Sequence, residues 1–222
     1  MLIEFSVTNY RSILERQTLN MVASTYFKEM ESLNTFIPDQ EDGVPRLLRS
    51  TVMYGPNGSG KSTLIQALRL VRYQVINSQK ESQAGDAIDV VPFKLTAASR
   101  AADSEFEVTF VEQGVRYEFG FCCNRERVTE EWLIAYPMGR AQKWFHRVFD
   151  AEVGKDVYKF STSFLGGKSR HGLWKEQTRS NALFFSTAIQ RNNEQLNPAL
   201  DWFKSRLQVV DSVRGFSPGY TM

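Results

Sequence analysis

The chain has 222 residues, of which 42% are hydrophobic and 23% charged, and its net charge is +2. That composition excludes an intrinsically disordered segment, and the length is enough for one domain with its own core. The near-balanced charge neither demands nor excludes a polyanionic partner, so basic character has to be read locally.

The opening MLIEFSVTNYRS has no basic stretch followed by a long apolar one, and no run approaches the roughly 18 apolar residues that span a bilayer. A cytoplasmic protein with no membrane contact is expected. The adjacent Cys122 and Cys123 point to opposite faces of a strand, which suits reduced thiols rather than a bridge. His146 and His171 have no ligand partner at helical spacing and read as structural or surface groups.

In chain order, Leu2 to Thr8 alternates as a first strand, with Ile3, Phe5 and Val7 on one face. Gln17 to Ala23 is a second strand candidate, and the polar stretch Ser24 to Arg46, with Pro38, Asp42, Gly43 and Pro45, reads as a loop. Leu47 to Tyr54 is a short apolar strand leading into a glycine-rich segment. After Lys61 the spacing of Leu64, Ile65, Leu68 and Val71 predicts a helix that frays near Asn77. From Val90 to about Phe160 the alternation of Phe106, Val108 and Phe110, the turn Gln113-Gly114, and the alternation of Tyr117, Phe119 and Phe121 predict an antiparallel meander. Val128 to Tyr136 and Trp144 to Phe149 are its further strands. Gly166 to Ser180 reads as a basic, glycine-containing loop. Helix returns at Asn181 to Gln190 and again after Asn197 (cap) and Pro198, with Leu200, Phe203 and Leu207 on one stripe. That stripe suits the chain's own core better than a partner helix.

Between the predicted strand and helix lies Gly55-Pro56-Asn57-Gly58-Ser59-Gly60-Lys61-Ser62, the GxxxxGK[ST] pattern of a P-loop. Its glycines let the backbone turn successive N–H groups toward phosphate oxygens, and Lys61 adds a full positive charge. The Ser62 hydroxyl is placed to ligate Mg²⁺, and the helix that follows turns its positive end to the same anion. ATP with Mg²⁺ is the expected ligand, with Gly55, Asn57, Gly58, Ser59, Gly60, Lys61, Ser62 and Thr63 as its binding residues.

The segment Pro56 to Thr63 resembles the Walker A of ABC-class ATPases, especially the RecF/SMC/OLD-like branch. Phe5 to Ser12, with its Asn9-Tyr10-Arg11-Ser12 turn, resembles that branch's first strand, and the meander resembles the antiparallel sheet that such heads add to a P-loop core. More narrowly, Val91 to Leu95 (VPFKL) and Asn181 to Asn192 (NALFFSTAIQRN) look like AAA-type ATP-binding proteins of bacterial anti-phage and abortive-infection operons. The resemblance implies an α/β P-loop NTPase core of ABC-ATPase-head type with an added meander and C-terminal helices. As one domain over 1–222, it would divide into a P-loop core (1–80), the meander (90–160) and a helical part (181–210). It also implies that Arg11 and Ser12 approach the phosphates or base, the alternative for Arg11 being a surface charge. Gln190 would be the glutamine that senses the γ-phosphate and Mg²⁺, the alternative being an ordinary helix residue.

Hydrolysis needs an Asp on Mg²⁺ and a Glu for the attacking water, and no apolar run ends in Asp-Glu. Leu207 to Asp211 ends in a lone Asp, better read as a strand-end residue, and Val148 to Asp150 falls in the meander. No catalytic residue is assigned. The signature segment is also missing, so the chain resembles the N-terminal half of a head whose other half is truncated or on another chain. A second ATPase subunit and an effector protein such as a nuclease are the expected partners, in a phage-defence regulator. A RecF/SMC-like DNA maintenance ATPase and the ATPase half of an OLD-like nuclease are the alternatives. The segment Gly166 to Arg179, with Lys168, Arg170, Lys175 and Trp174, could grip a nucleic-acid backbone, although a solvated surface loop reads better.

Overall fold

The structure, a computed structural model, describes residues 1–38 and 43–210. In chain order the elements are β1 (Leu2–Thr8), β2 (Gln17–Asn20), α1 (Glu31–Asn34), β3 (Thr35–Phe36), β4 (Leu47–Leu48) and α2 (Lys61–Asn77). They continue with α3 (Ala97–Ala101), β5 (Ser104–Glu112), β6 (Val115–Cys123), β7 (Val128–Tyr136), β8 (Gln142–Asp150) and β9 (Lys155–Phe160). Last come α4 (Gly167–Gln177), α5 (Phe184–Gln190) and α6 (Asn197–Asp201), which runs on as a π-helical turn over Trp202–Arg206. Among the described residues no helix is long and apolar enough to cross a membrane.

Seven strands form one sheet in the order β2-β1-β5-β6-β7-β8-β9, every neighbouring pair antiparallel. The period-2 alternation fixes its inner face: Phe106, Val108 and Phe110 of β5 lie beside Tyr117, Phe119 and Phe121 of β6, all buried. Gln113 and Gly114 both have positive φ, 52° and 71°, as a two-residue turn between twisted strands requires. The meander therefore follows the sequence pattern, beginning at Ser104 rather than near Val90. β1 pairs with β5 at one side of this sheet, so the first strand belongs to the same sheet as the meander.

Helices cover the inner face. α2 buries Leu64, Ala67, Leu68, Val71 and Val75 in the core shared with Phe5, Val7 and Phe119. No side chain caps its N-terminus, so burial, worth about 1.5–3 kcal/mol per large aliphatic side chain, is what holds it. Leu200, Phe203 and Leu207 are buried in this core as well, which answers the stripe in favour of the chain's own packing. The Arg72 side chain donates to the carbonyls of Phe203, Lys204 and Leu207 and so satisfies the end of that helical stretch.

Two sequence readings are corrected. Of the strand expected over Leu47–Tyr54, only Leu47 and Leu48 pair, with Thr35 and Phe36. No strand among the described residues lies beside residues 49–54, and Val52 and Tyr54 are 80% and 92% exposed. The expected loop Gly166–Ser180 is mostly the helix α4. His171 and Trp174, three residues apart, lie on one face of α4 and pack on Phe164, which outweighs the low helix propensity of its glycines. Gly166 makes this possible: its φ is 133°, and a Cβ there would come within 2.7 Å of the Trp174 ring.

His171 stacks on Phe160 and Phe164, 4.3 and 5.2 Å between ring centres, and burial lowers its pKa below the ordinary value. The unfolded chain therefore takes up this proton at higher pH than the folded one. The neutral ring's contribution is complete above about pH 6.5 and is lost as pH falls through the folded pKa. His171→Phe is expected to remove that acid sensitivity. In melting curves from pH 8 to 5, the gap in Tm between variant and wild type should widen in the variant's favour towards acid.

Candidate functional site

The turn Gly55–Gly60 delivers the chain to the first residue of α2. Gly58 and Gly60 have φ of 84° and 91°, the left-handed region that residues with a Cβ disfavour. The first bond within the helix here is Leu64 N–H to the Gly60 carbonyl, 3.0 Å, so the N–H groups at the start of α2 lack intrahelical acceptors. These donors and the positive end of a 17-residue helix make an anion site. The Lys61 ammonium folds over the turn and donates to the carbonyls of Gly55 (2.8 Å) and Pro56 (2.9 Å), with the Ser59 hydroxyl at 3.4 Å. Asn57, Ser59 and Ser62 are exposed. Thr63 is buried instead, and its hydroxyl meets that of Ser12 at 2.7 Å.

That contact brings the turn after β1 against the P-loop. The geometry is fixed by Asn9, only 5% exposed, whose side-chain amide donates to the carbonyls of Ser99, Ala102 and Asp103. Its oxygen accepts from Phe93 N–H, and the Arg11 N–H reaches the Val91 carbonyl at 2.7 Å. The Asn9-Tyr10-Arg11-Ser12 turn and the Val91–Leu95 segment, distant in sequence, are thus one structural unit. Asn9→Ala would remove hydrogen bonds to four backbone groups, that of Ser99 buried and the others partly so, at a cost on the order of 2–4 kcal/mol. A chemical melt should show that loss, and a result within 0.5 kcal/mol of wild type would contradict it.

Arg11 is exposed, and its Nε donates to the Tyr10 hydroxyl at 3.0 Å. It lines a cleft beside α2 rather than the P-loop turn itself. Gln190 ends α5, with its Nε2 buried and without a partner among the described residues. The other end of α5 meets the far end of α2, where Leu183 N–H donates to Ser78 Oγ at 3.2 Å. Asp150 ends β8, opposite Lys155, and its carboxylate accepts from the N–H groups of Glu152 and Val153 in the turn that follows. Asp211 lies outside the described residues. Among the described residues no group of three or more His, Cys, Asp or Glu side chains is placed to hold a metal. Ser62 fits Mg²⁺ in the way hard cations bind beside phosphates, with one protein oxygen and the rest from substrate and water.

Residues 50–220 match the profile of the family described as "AAA domain, putative AbiEii toxin, Type IV TA system", which covers well over half of the chain. The chain belongs to this family. No curated protein matches it. The AAA domain is a nucleotide-binding ATPase domain of P-loop type, and its matched segment begins just before the Gly55–Ser62 turn.

Two features of the chain escape a reading by motif. Asn9 looked like one letter of a turn, and only the fold reveals four hydrogen bonds at its side chain. Glu131 and Arg147, both fully buried, join the sheet to α5. Their signal was a charged residue on the inward side of an alternating strand, since Glu131 precedes Leu133 and Ala135 on the buried face of β7.

The basic-segment reading also changes. Trp174 is 1% exposed, and the Arg179 guanidinium donates to the carbonyls of Ser78, Gln79 and Ser82. Neither side chain is on hand to stack on a base or hold a phosphate backbone.

Proposed function

We propose that this chain is the P-loop-bearing part of an ABC-type ATPase head that binds ATP with Mg²⁺ through Gly55–Thr63. The observation that carries the reading is the uncapped start of α2 behind the Gly55–Gly60 turn, with Lys61 folded over it. In this role Lys61 contacts the β- and γ-phosphates, the N–H groups at the start of α2 cradle them, and the Ser62 hydroxyl reaches Mg²⁺. Bound Mg²⁺ would neutralise phosphate charge. Ser12, against Thr63, borders the site, Arg11 approaches the bound nucleotide from the same turn, and Gln190 supplies an amide that answers to the γ-phosphate. The described residues contain no Asp-Glu pair at a strand end, so turnover requires groups from a second ATPase subunit or another part of the head.

Within that reading the protein is a regulator in bacterial anti-phage defence, its nucleotide state controlling an effector such as a nuclease. Support comes from the family's description, which names a toxin–antitoxin system. The DNA-maintenance alternative is weakened by the packing of Trp174 and Arg179.

The test is titration of a fluorescent ATP analogue in Mg²⁺, with phosphate release followed in the same samples. Saturable binding without release is the expected result. Absence of binding overturns the ATP site, and turnover by the chain alone overturns the need for a second half.

A further inference from the structure

The outer face of the sheet, opposite α2, is not uniform. On β1 and β5 its side chains are polar, Ser6 and Thr8 beside Glu105, Glu107 and Thr109, as the solvated face of an antiparallel sheet requires. On β7 to β9 the same face carries Trp132, Ile134, Val148 and Val157, the two valines 37% and 47% exposed. These four belong to neither buried apolar core of the chain. The Trp132 ring lies across β6 at Gly120, where a Cβ would come within 2.2 Å of it. A level apolar strip therefore runs along β7 and β8 with an aromatic plate at its middle, the kind of surface that anchors protein interfaces.

The charges on either side of this strip are opposite. Strand register sets Glu107, Gly120, Trp132, His146 and Lys159 in one row across the sheet, and Glu118, Ile134 and Lys143 in the next. The carboxylates thus stand on β5 and β6 and the ammonium groups on β8 and β9, with β7 between. Glu107 shares one guanidinium, that of Arg16, with Glu105, and Glu118 accepts from the Tyr136 hydroxyl. Lys143 and Lys159 are exposed and, among the described residues, in no ion pair. Such a face is complementary to itself. A two-fold axis along β7 lays β9 of one copy over β5 of the other and β8 over β6, so that Lys159 meets Glu107 and Lys143 meets Glu118. Trp132 and Ile134 then close on their own counterparts, and His146, 2.7 Å from Glu130, draws that carboxylate off the axis. An axis across the strands would instead stack lysine on lysine. The overlap is large enough. Five strands at about 4.8 Å, of nine residues at about 3.4 Å in β5 to β8, give about 700 Å² per copy, close to the roughly 800 Å² of a standard interface.

We propose that this face docks a second copy of the chain, outer sheet on outer sheet about 10 Å apart, with the Glu118–Lys143 and Glu107–Lys159 pairs fixing the two-fold. The surface lies on the side of the sheet away from α2, so the pairing holds with or without nucleotide.

Sedimentation velocity without nucleotide, from about 1 to 100 μM, tests this with two charge reversals. The wild type should be dimeric. Glu118→Lys and Lys143→Glu should each be monomeric, or dimerise at least roughly tenfold more weakly, because every such dimer holds two like-charged contacts. An equimolar mixture of the two variants should recover the wild-type dimer, since each supplies the charge that the other lacks. That recovery also shows that both variants are folded. A wild type that stays monomeric at the highest concentration overturns the proposal. Single variants that associate as the wild type does place the contact on another surface and overturn it as well. Single variants that remain monomeric when mixed overturn the two-fold pairing.

Discussion

Lys61→Ala is expected to weaken Mg·ATP binding on the order of 100-fold, the equivalent of about 3 kcal/mol, while leaving the melting temperature nearly unchanged. The two halves of this expectation have separate causes. Among the described residues the Lys61 ammonium bonds within the turn itself, to the Gly55 and Pro56 carbonyls and the Ser59 hydroxyl, all solvent-exposed. Exposed hydrogen bonds of this kind contribute little net stability because water replaces them. A phosphate anion changes the balance. Charge-assisted bonds to it are about twice as strong as neutral ones, and the low-dielectric wall behind α2 strengthens them further. Truncation should therefore remove affinity without removing the fold. Equilibrium titration of both proteins with the same fluorescent analogue, beside thermal melts, reads both halves. Binding that survives Lys61→Ala within threefold would place the nucleotide somewhere other than the P-loop.

Arg147→Ala should have the largest effect on stability, a loss of about 3–5 kcal/mol. Its guanidinium is fully buried between the sheet and the segment before α5. It donates to the Ala182 carbonyl (2.8 Å), the Arg179 carbonyl (3.3 Å) and Asp156 (2.8 Å), and lies 3.7 Å from Glu131. Asp156 keeps Arg127 as a second partner at 2.8 Å. Among the described residues Glu131 has no such reserve of positive charge, although it accepts from the N–H groups of Phe184 and Phe185 at the start of α5. Burial raises the Glu131 carboxyl to about 7, against the opposing pull of Arg147 and those two N–H groups. Without Arg147 the folded pKa rises further. The folded variant then holds a proton that the unfolded chain has released, so its stability is greatest at acid pH and falls as pH rises through the folded pKa. Urea unfolding at pH 5 and pH 8 should show a larger deficit at pH 8. The double variant Glu131→Leu with Arg147→Met should be less damaged than Arg147→Ala, because no charge is stranded. Equal loss in the single and the double would mean that packing, not charge, holds this junction.

Much of the sheet was legible because its signal is local. β5 and β7 show the period of two over most of their length, and the turn at Gln113-Gly114 announces its backbone conformation. The P-loop was legible for a different reason: phosphate binding by backbone demands glycines at fixed spacing, and no packing accident reproduces that order. What escaped depends on neighbours. Leu47 to Tyr54 has strand composition throughout, but a strand exists only where a partner accepts its hydrogen bonds, and the partner β3 is two residues long. Gly166 to Ser180 has glycines and charges that read as a loop, while the ring stack of Phe160, His171 and Trp174 supplies the energy that makes it helical. Asn9 and Glu131 could be flagged as polar groups in apolar surroundings, but the backbone groups they bond lie 84 to 94 and 53 to 54 residues away.

The bare stretch before the P-loop has a consequence for handling the protein. Residues 50–54 carry no charge and pair with no strand among the described residues, and Val52 and Tyr54 are 80% and 92% exposed. A strand-prone stretch of this kind can add to another chain's sheet, so the purified protein should self-associate as its concentration rises. Self-association built on backbone pairing should persist at high salt, which screens charges but leaves amide hydrogen bonds in place. Val52→Lys is expected to keep the protein from growing beyond the sheet-face dimer in light scattering at concentrations where the wild type forms larger species.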